Sequence, residues 1–286
     1  MERKINSCLK NNFYHLFHSA NIWVLTGYLL IWSDIAAKGI RTFFRAVDEK
    51  VTCFLFPLHM DSSYFSMLFL LGVFVLFLDC PFLNKVSDYE IPRMGKRIWL
   101  TGQFAYLAGA SVFYVAAANL ICNLLLLPYL TLKMEWGRVF YTLLRTSARK
   151  EFDVTLFCDA SVLSRFSPVR GWCLQTIITI GVCFTMGSLL FTISLWMGRK
   201  MAVIIIRMLI LYPIILETGT NSKLYFFSII SWVQLGRIND GWNGMLPSPT
   251  YIVGMLIFIN AILYLINWVK IPALEWRGIR DERDNA

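Results

Sequence analysis

Six apolar stretches separated by polar segments divide this chain of 286 residues. They cover about residues 21–37, 64–78, 98–130, 171–196, 201–216 and 250–269. A helix needs roughly 20 apolar residues to cross a hydrocarbon core about 30 Å thick. The pattern therefore predicts an all-α, polytopic integral membrane protein in which six transmembrane helices form a single domain over residues 1–286.

The segments outside these stretches carry weaker patterns. Residues 1–18 predict an amphipathic helix lying at the membrane interface, because their apolar residues recur at spacings of three and four. His15 and His18 share one side of that helix, which favours an interfacial position over metal binding. Residues 131–170 and 217–249 are predicted to be the longest loops. Two apolar pieces are too short to cross the membrane. Residues 51–58 predict a re-entrant element, and residues 224–233 predict a short hairpin or an interfacial helix.

Composition supports a membrane protein. The chain is 57% hydrophobic and 16% charged, whereas soluble domains are about 25% charged. The net charge of +9 comes from bases scattered between spans, which favours contact with membrane lipids over nucleic acid. The seven cysteines form no CxxC pair, so we predict no metal site and no required disulfide. Cys53 and Cys158 lie in predicted outer loops, where pairing between them stays open.

The most polar segment, residues 79–103, separates the second and third stretches. Within it, acidic residues come before basic ones, an order that suits a short helix because anions favour its N-terminus and cations its C-terminus. So charged a segment cannot remain in hydrocarbon and must protrude between two spans. It is either an ordinary solvated turn or a docking element for a partner protein.

The residues of this segment resemble a known family. Pro81-Phe82-Leu83 follows an apolar span, and after mixed charges comes Pro92-Arg93-x-Gly95-Lys96-Arg97-x-Trp99-Leu100-x-Gly102-Gln103. This pattern is similar to that of the type-2 permease subunits of ATP-binding-cassette (ABC) exporters. Ser167-Pro168 and Leu246-Pro247-Ser248-Pro249 also look like junctions of that family.

The resemblance implies that residues 85–97 form a cytoplasmic coupling helix that docks into a separate ABC ATPase. The implied docking residues are Ser87, Asp88, Tyr89, Glu90, Arg93, Lys96 and Arg97. The chain itself would need no cofactor, since ATP and Mg would bind the partner. It would pair with itself or a paralogous permease in the cytoplasmic membrane of a bacterium, with both termini in the cytoplasm. The resemblance then implies that residues 131–170 and 217–249 are extracytoplasmic loops, and that the second contains a helical re-entrant element before the last span. The implied cargo is a peptide, a lipid or another amphipathic compound.

Three polar residues inside the spans are candidates for a substrate pathway. Asn119 and Asn123 lie four apart and share a helix face, where bonding to a neighbouring helix is favoured over substrate contact. Arg207 is the one base well inside a span, where snorkelling to the interface is favoured over a role in a conduit.

No catalytic motif emerges, and no residue is assigned a catalytic role. The chain has no GxxxxGK[ST], HExxH or GxSxG sequence, which lowers the case for an enzyme. A membrane scaffold or assembly factor without transport activity and a lipid-modifying membrane enzyme stay open as alternatives. The bases do not settle orientation, because 13 fall on each side of the predicted topology.

Overall fold

The computed structural model describes residues 2–79, 87–218, 222–239 and 246–273. The side chains at 87–90, 215, 217, 218 and 222 lie outside this description. The described chain is mostly helical. Its α-helices are α1 (Glu2–His18), α2 (Ala20–Val47), α3 (Leu55–Met60), α4 (Ser63–Leu76), α5 (Ser87–Met94), α6 (Lys96–Leu125), α7 (Gly137–Arg145), α8 (Ala148–Glu151), α9 (Ser161–Arg165), α10 (Pro168–Met197), α11 (Arg199–Thr218) and α12 (Pro249–Lys270).

Within the described ranges, four helices are long and apolar enough to cross a membrane: α2, α6, α10 and α12 with the turn after it. The chain therefore has the architecture of a helical membrane protein. The other two predicted spans fall on α4, an apolar helix of 14 residues, and on α11, which has 20. A count of six membrane crossings stays a prediction.

Two predicted spans have different ends in the structure. The first continues ten residues further, to Val47, because Asp34 pairs with Arg41 on the same helix face. The backbone N–H of Asp48 in a left-handed conformation then bonds to Phe44 O and ends α2. The third stretch ends earlier, at Leu125, and a 3-10 turn (Leu127–Tyr129) containing Pro128 follows it.

The helices form one bundle in which α10 is the most enclosed. It packs against α6, α11 and α12, while α6 also contacts α1 and α2. Short parallel strands β1 (Val51–Thr52) and β2 (Leu130–Thr131) pair after the ends of α2 and α6, so these two helices end on the same side. We call that side, with residues 48–62, 126–167, 222–239 and 246–248, the loop end. The opposite side, with α5, the start of α6 and the end of α12, is the connector end.

Polar pairs join α10 and α12 at a regular interval. Asn260 Nδ2 donates to Thr185 Oγ1 at 2.6 Å, and Asn267 Nδ2 donates to Thr192 Oγ1 at 2.8 Å. Both pairs advance by seven residues in the same direction, so the two helices run parallel. Gly181 lies one turn before Thr185, and a Cβ there would meet Leu256 Cδ1 at 2.9 Å. Small and polar side chains thus set this contact.

The N-terminal helix α1 packs on α6, and its place in the headgroup layer stays a prediction. A Cβ at Gly102 of α6 would lie 2.8 Å from Cys8 Sγ, and one at Gly109 would lie 3.0 Å from Phe13 Cζ. Between them, Asn12 Nδ2 donates to Gln103 Oε1 at 2.9 Å in a buried hydrogen bond. The two glycines let α1 approach closely enough for that bond to form.

Most residues of the two short apolar pieces are covered by protein, with Leu224 and Phe227 exposed. Every residue of α3 is buried, so the apolar character of residues 51–58 follows from packing and needs no membrane insertion. The described residues 222–239 contain only 3-10 helices: Ser222–Phe226, Ser231–Val233 and Leu235–Arg237. The expected re-entrant helix is therefore absent from that range. Instead its apolar residues Ile230, Trp232 and Leu235 are buried.

Candidate functional site

The predicted coupling segment is a short helix joined directly to the longest helices of the bundle. Helix α5 (Ser87–Met94) ends when Gly95 N–H bonds to Ile91 O at 2.9 Å. Gly95 has a φ of 92°, a conformation that glycine adopts without steric cost, and α6 begins at the next residue. Trp99 N–H bonds back to Gly95 O at 3.1 Å, so α5 and α6 meet with no intervening loop.

Residues near both ends of the described chain contact the connector, by which we mean α5, Gly95 and the first turn of α6. Lys4 Nζ of α1 donates to Arg93 O at 3.3 Å, and Lys96 Nζ donates to Pro272 O at 2.8 Å. The guanidinium of Arg97 lies over the Trp268 ring of α12, 5.2 Å from its centroid. The connector is therefore fixed to α1, α6 and α12 together.

The predicted docking residues divide between the two helices. Ser87, Asp88, Tyr89 and Glu90 lie in α5, but their side chains fall outside the description. Arg93 and Arg97 are exposed, whereas Lys96 is half-buried. The described part of the connector thus presents two exposed guanidinium groups, which suit an acidic surface or anionic headgroups.

The asparagines proposed for a pathway make different contacts. Asn119 is buried in α6 and accepts a hydrogen bond from Trp172 Nε1 of α10 at 2.8 Å, as the interhelical interpretation expects. Its Nδ2 donates to Val115 O at 3.0 Å. Asn123 Oδ1 is buried without a hydrogen-bond partner in the described residues. Of the two, only Asn123 therefore keeps an unused polar atom.

Arg207 lies on the outside of the bundle. It is exposed on α11, and its guanidinium lies 5.6 Å from the centroid of the Phe74 ring of α4. An exposed cation over an aromatic face faces away from the interior of a single subunit. The structure therefore does not bring Arg207 together with Asn119 or Asn123 inside this chain.

A second polar cluster, which the sequence did not indicate, lies at the loop end. Asp61, between α3 and α4, accepts hydrogen bonds from two distant backbone N–H groups. Gly236 N–H donates to Asp61 Oδ1 at 2.6 Å, and Asp159 N–H donates to Oδ2 at 3.2 Å. One carboxylate thereby joins three chain segments that lie up to 175 residues apart.

Neighbouring side chains reinforce the same junction. Gln234 Nε2 donates to Ser63 Oγ at 2.7 Å and lies 3.3 Å from Ser66 Oγ. Arg165 donates to the carbonyls of Gly236 and Ile238 at 3.3 and 3.4 Å. The loop end is therefore a folded cap that rests on the start of α4.

A cleft of about 580 Å³ opens at this junction. Its lining combines carboxylates, a guanidinium and aromatic rings: Asp61, Ser62, Ser63, Tyr64, Phe65, Phe157, Asp159, Gly236 and Arg237. Mixed lining of this kind, at a volume usual for small-molecule sites, marks a potential ligand site. The contributing segments are far apart in sequence, so no local pattern could have revealed it.

Burial changes the ionisation of two groups beside the cleft. Burial raises the pKa of the Asp61 carboxyl, and the hydrogen bonds from Gly236 and Asp159 oppose that change. His59 is fully buried between Trp32 and Phe65, with ring centroids 4.3 and 4.2 Å away. Its burial lowers its pKa to about 3, with a smaller opposing effect from the Trp32 backbone. His59 is therefore neutral at physiological pH.

The described cysteines of the loop end are free thiols. Cys53 and Cys158 are both free, so the pairing left open by the sequence is not formed. Burial raises the pKa of the Cys158 thiol, and the carboxylate of Asp61 adds to this rise. Among the side chains that the structure describes, no three of His, Cys, Asp or Glu gather as a metal-binding group.

Comparison of the chain with protein-family models, curated proteins and solved structures finds no match.

Proposed function

We propose that this chain is the transmembrane subunit of an ATP-driven ABC exporter, with ATP hydrolysis on a separate partner chain. The direct attachment of α5 to α6 carries the proposal. A coupling element must be short, must protrude from the membrane and must be attached rigidly to a span. Helix α5 is short, and Gly95 alone separates it from α6, a helix of 30 residues. Its protrusion from the membrane is part of the proposal.

The packing of α6 supports a lever-like role. At 1.5 Å per residue, α6 is about 45 Å long, which exceeds an apolar core of about 30 Å. It contacts α1, α2 and α10 along its length. A displacement of α5 would therefore pass into most of the bundle as movement of packed helices.

The connector end also supplies contacts for a partner protein. Arg93 and Arg97 are exposed, and the backbone carbonyls of Arg93 and Pro272 are held by lysine side chains. Arginines are enriched at protein interfaces because one guanidinium group can donate two parallel hydrogen bonds to one carboxylate. The proposed partner surface is thus acidic where it meets α5.

The exporter acts in this proposal as a dimer with itself or a paralogue, and the conduit lies between the two bundles. Arg207 is exposed on α11 and would face a second subunit or lipid, so its role in a pathway depends on the dimer. Asn123 is the described polar residue of α6 that has an unused buried acceptor.

Co-purification of an ATPase tests the proposal. Arg93→Glu reverses an exposed charge on α5 and is expected to reduce recovery of the ATPase with the tagged chain at least fivefold. Tyr89→Ala and Glu90→Lys are expected to reduce ATP-dependent transport in vesicles while leaving the amount of membrane-inserted protein unchanged.

Arg45→Glu is the matched control, because it reverses an exposed charge at the loop end. It should leave the recovered ATPase at the wild-type amount. Equal ATPase recovery with Arg93→Glu and Arg45→Glu, together with unchanged transport in the α5 variants, would overturn the assignment.

A further inference from the structure

Aromatic residues mark two levels along the bundle. At the loop end they begin the helices or follow them closely: Tyr64 in α4, Trp172 in α10, Tyr251 in α12 and Tyr129 after α6. At the connector end the corresponding exposed or half-buried residues are Trp23 in α2, Trp196 in α10 and Trp268 in α12. Tryptophan and tyrosine concentrate at the two membrane–water interfaces, so the two rows mark headgroup depth.

The separation of the rows agrees with a bilayer. From Trp172 to Trp196, α10 rises about 36 Å, and from Tyr251 to Trp268, α12 rises about 26 Å, at 1.5 Å per residue. The apolar core between headgroups is about 30 Å thick. Tyr64, at the start of α4, belongs to the row at the loop end.

Tyr64 is also a wall of the loop-end cleft. It is 58% exposed, and its ring lies 5.3 Å from that of Phe65, which in turn lies 6.2 Å from Phe157. Phe157 is 55% exposed. The cleft thus has an aromatic wall at the level of the loop-end row of aromatic residues.

The charges of the cleft are of both signs. Asp61 is occupied by two backbone N–H groups, so it shapes the cleft. Asp159 is exposed, and its Oδ1 accepts from Ser161 N–H at 2.9 Å. Arg237 lines the cleft and stacks on Tyr225, 4.7 Å from the ring centroid.

We propose that the loop-end cleft binds the zwitterionic headgroup of a phospholipid from the adjacent leaflet. The ammonium group binds Asp159 beside the aromatic wall, and the phosphate binds Arg237. Carboxylates and aromatic faces both attract an ammonium group, while guanidinium groups bind phosphate oxygens in pairs. A purely anionic lipid would satisfy Arg237 but leave Asp159 facing a like charge or nothing. This inference does not depend on α5 docking an ATPase.

Native mass spectrometry of the full chain, purified in detergent, tests the assignment. The probes are dioleoyl phosphatidylethanolamine and dioleoyl phosphatidylglycerol, which share acyl chains and a phosphate and differ in the ammonium group. The wild-type chain is expected to retain the ethanolamine lipid about tenfold more tightly, which corresponds to about 1.4 kcal/mol.

Two variants separate the contributions of the charges. Asp159→Asn keeps an acceptor for Ser161 N–H and is expected to bring the retention ratio of the two lipids close to one. Arg237→Gln is expected to weaken both lipids alike, because both carry a phosphate. Phe157→Leu should weaken the ethanolamine lipid more than the glycerol lipid.

Glu151→Gln is the control for Asp159→Asn, because it removes an exposed negative charge of the same loop outside the cleft. It should leave the lipid ratio unchanged, and equal thermal stability of the two variants should show that both fold. Equal retention of the two lipids by the wild type would overturn the proposal. So would a wild-type ratio in Asp159→Asn.

Soluble glycerophosphoethanolamine distinguishes the source of the headgroup. If the ligand is a membrane lipid, this compound should compete only at concentrations at least a hundredfold higher than the lipid, since it lacks acyl chains. Binding of the soluble compound as tight as that of the lipid would overturn the lipid assignment in favour of a free zwitterion.

Discussion

His59 is a buried base with no hydrogen bond to either ring nitrogen among the described residues. Its folded pKa is about 3, against an ordinary value of 6.5. The unfolded chain therefore binds a proton below about pH 6.5 that the folded chain refuses, so stability falls as pH falls from 6.5 towards 3. The rings of Trp32 and Phe65 enclose the imidazole, and this burial disfavours its protonated form.

His59→Phe is expected to remove this acid sensitivity. Phenylalanine has a similar shape and leaves no unpaired polar atom in the site, so the melting temperature at pH 7 should rise or stay the same. Thermal unfolding of both proteins in detergent between pH 7 and pH 4 measures the effect. A wild-type pH slope in the variant would show that His59 is not the responsible group.

Asp61 makes the opposite contribution. Burial raises the folded pKa of Asp61 above the ordinary value of 3.8. The folded chain therefore keeps a proton that the unfolded chain releases, so this group makes the protein less stable as pH rises from 3.8 to the folded pKa. Asp61→Ala leaves the N–H groups of Gly236 and Asp159 without acceptors and is expected to cost about 2–4 kcal/mol.

Limited proteolysis measures the effect of Asp61→Ala, because the residue joins the segments around 159 and 236. Cleavage within these two segments should accelerate in the variant, while cleavage near Lys133 stays at the wild-type rate. Uniform acceleration along the chain would show that the effect is not local to the junction.

At the scale of helices, the contact between α10 and α12 depends on two asparagines with unequal bonding. Asn267 donates to Thr192 and accepts from Trp196 Nε1 at 2.7 Å. Asn260 donates to Thr185, but its Oδ1 is buried without a partner in the described chain. The two residues therefore provide an internal comparison.

Asn267→Leu is expected to lower stability by about 1–2 kcal/mol, and Asn260→Leu by about 0.5 kcal/mol or less, since interhelical hydrogen bonds in membranes average about 0.6 kcal/mol. Thermal unfolding in one detergent ranks the two variants. A larger loss with Asn260→Leu would contradict the bonding pattern.

The contact between α1 and α6 depends on glycine at Gly102. Gly102→Ala places a Cβ 2.8 Å from Cys8 Sγ and is expected to loosen α1. Gly254→Ala is the control, because nothing lies within 4 Å of its added Cβ, and alanine favours the helix by about 1 kcal/mol. The melting temperature should therefore fall in Gly102→Ala and rise in Gly254→Ala. A shift of the same sign in both variants would show that the space at Gly102 is not limiting.

The apolar pattern was sufficient to predict that each of the six stretches is helical, because 15 or more apolar residues seldom form anything else in one run. It misplaced the end of α2, since the pairing of Asp34 with Arg41 lets a charged turn continue the helix. The asparagines of α12 were overlooked, although their spacing of seven residues in a span is a readable signal. The loop-end cleft could not be predicted, because it forms where Asp61 joins segments that are distant in sequence.

At the scale of the whole molecule, the bundle has two unlike ends. The loop end is a folded cap with a mixed-charge cleft, and the connector end holds α5 close to both ends of the described chain. One of the two aromatic rows lies at each end. A protein that takes force at one face and contacts lipid at the other would have this arrangement.

The side on which α5 lies tests the exporter proposal most directly. Arg93→Cys and Lys133→Cys place exposed thiols at the connector and loop ends, in a background where Cys53, Cys80 and Cys173 are serine. A membrane-impermeant maleimide is expected to label Lys133→Cys in intact cells and Arg93→Cys only after permeabilisation. Labelling of Arg93→Cys in intact cells would place α5 outside, away from any cytoplasmic ATPase, and would contradict the account.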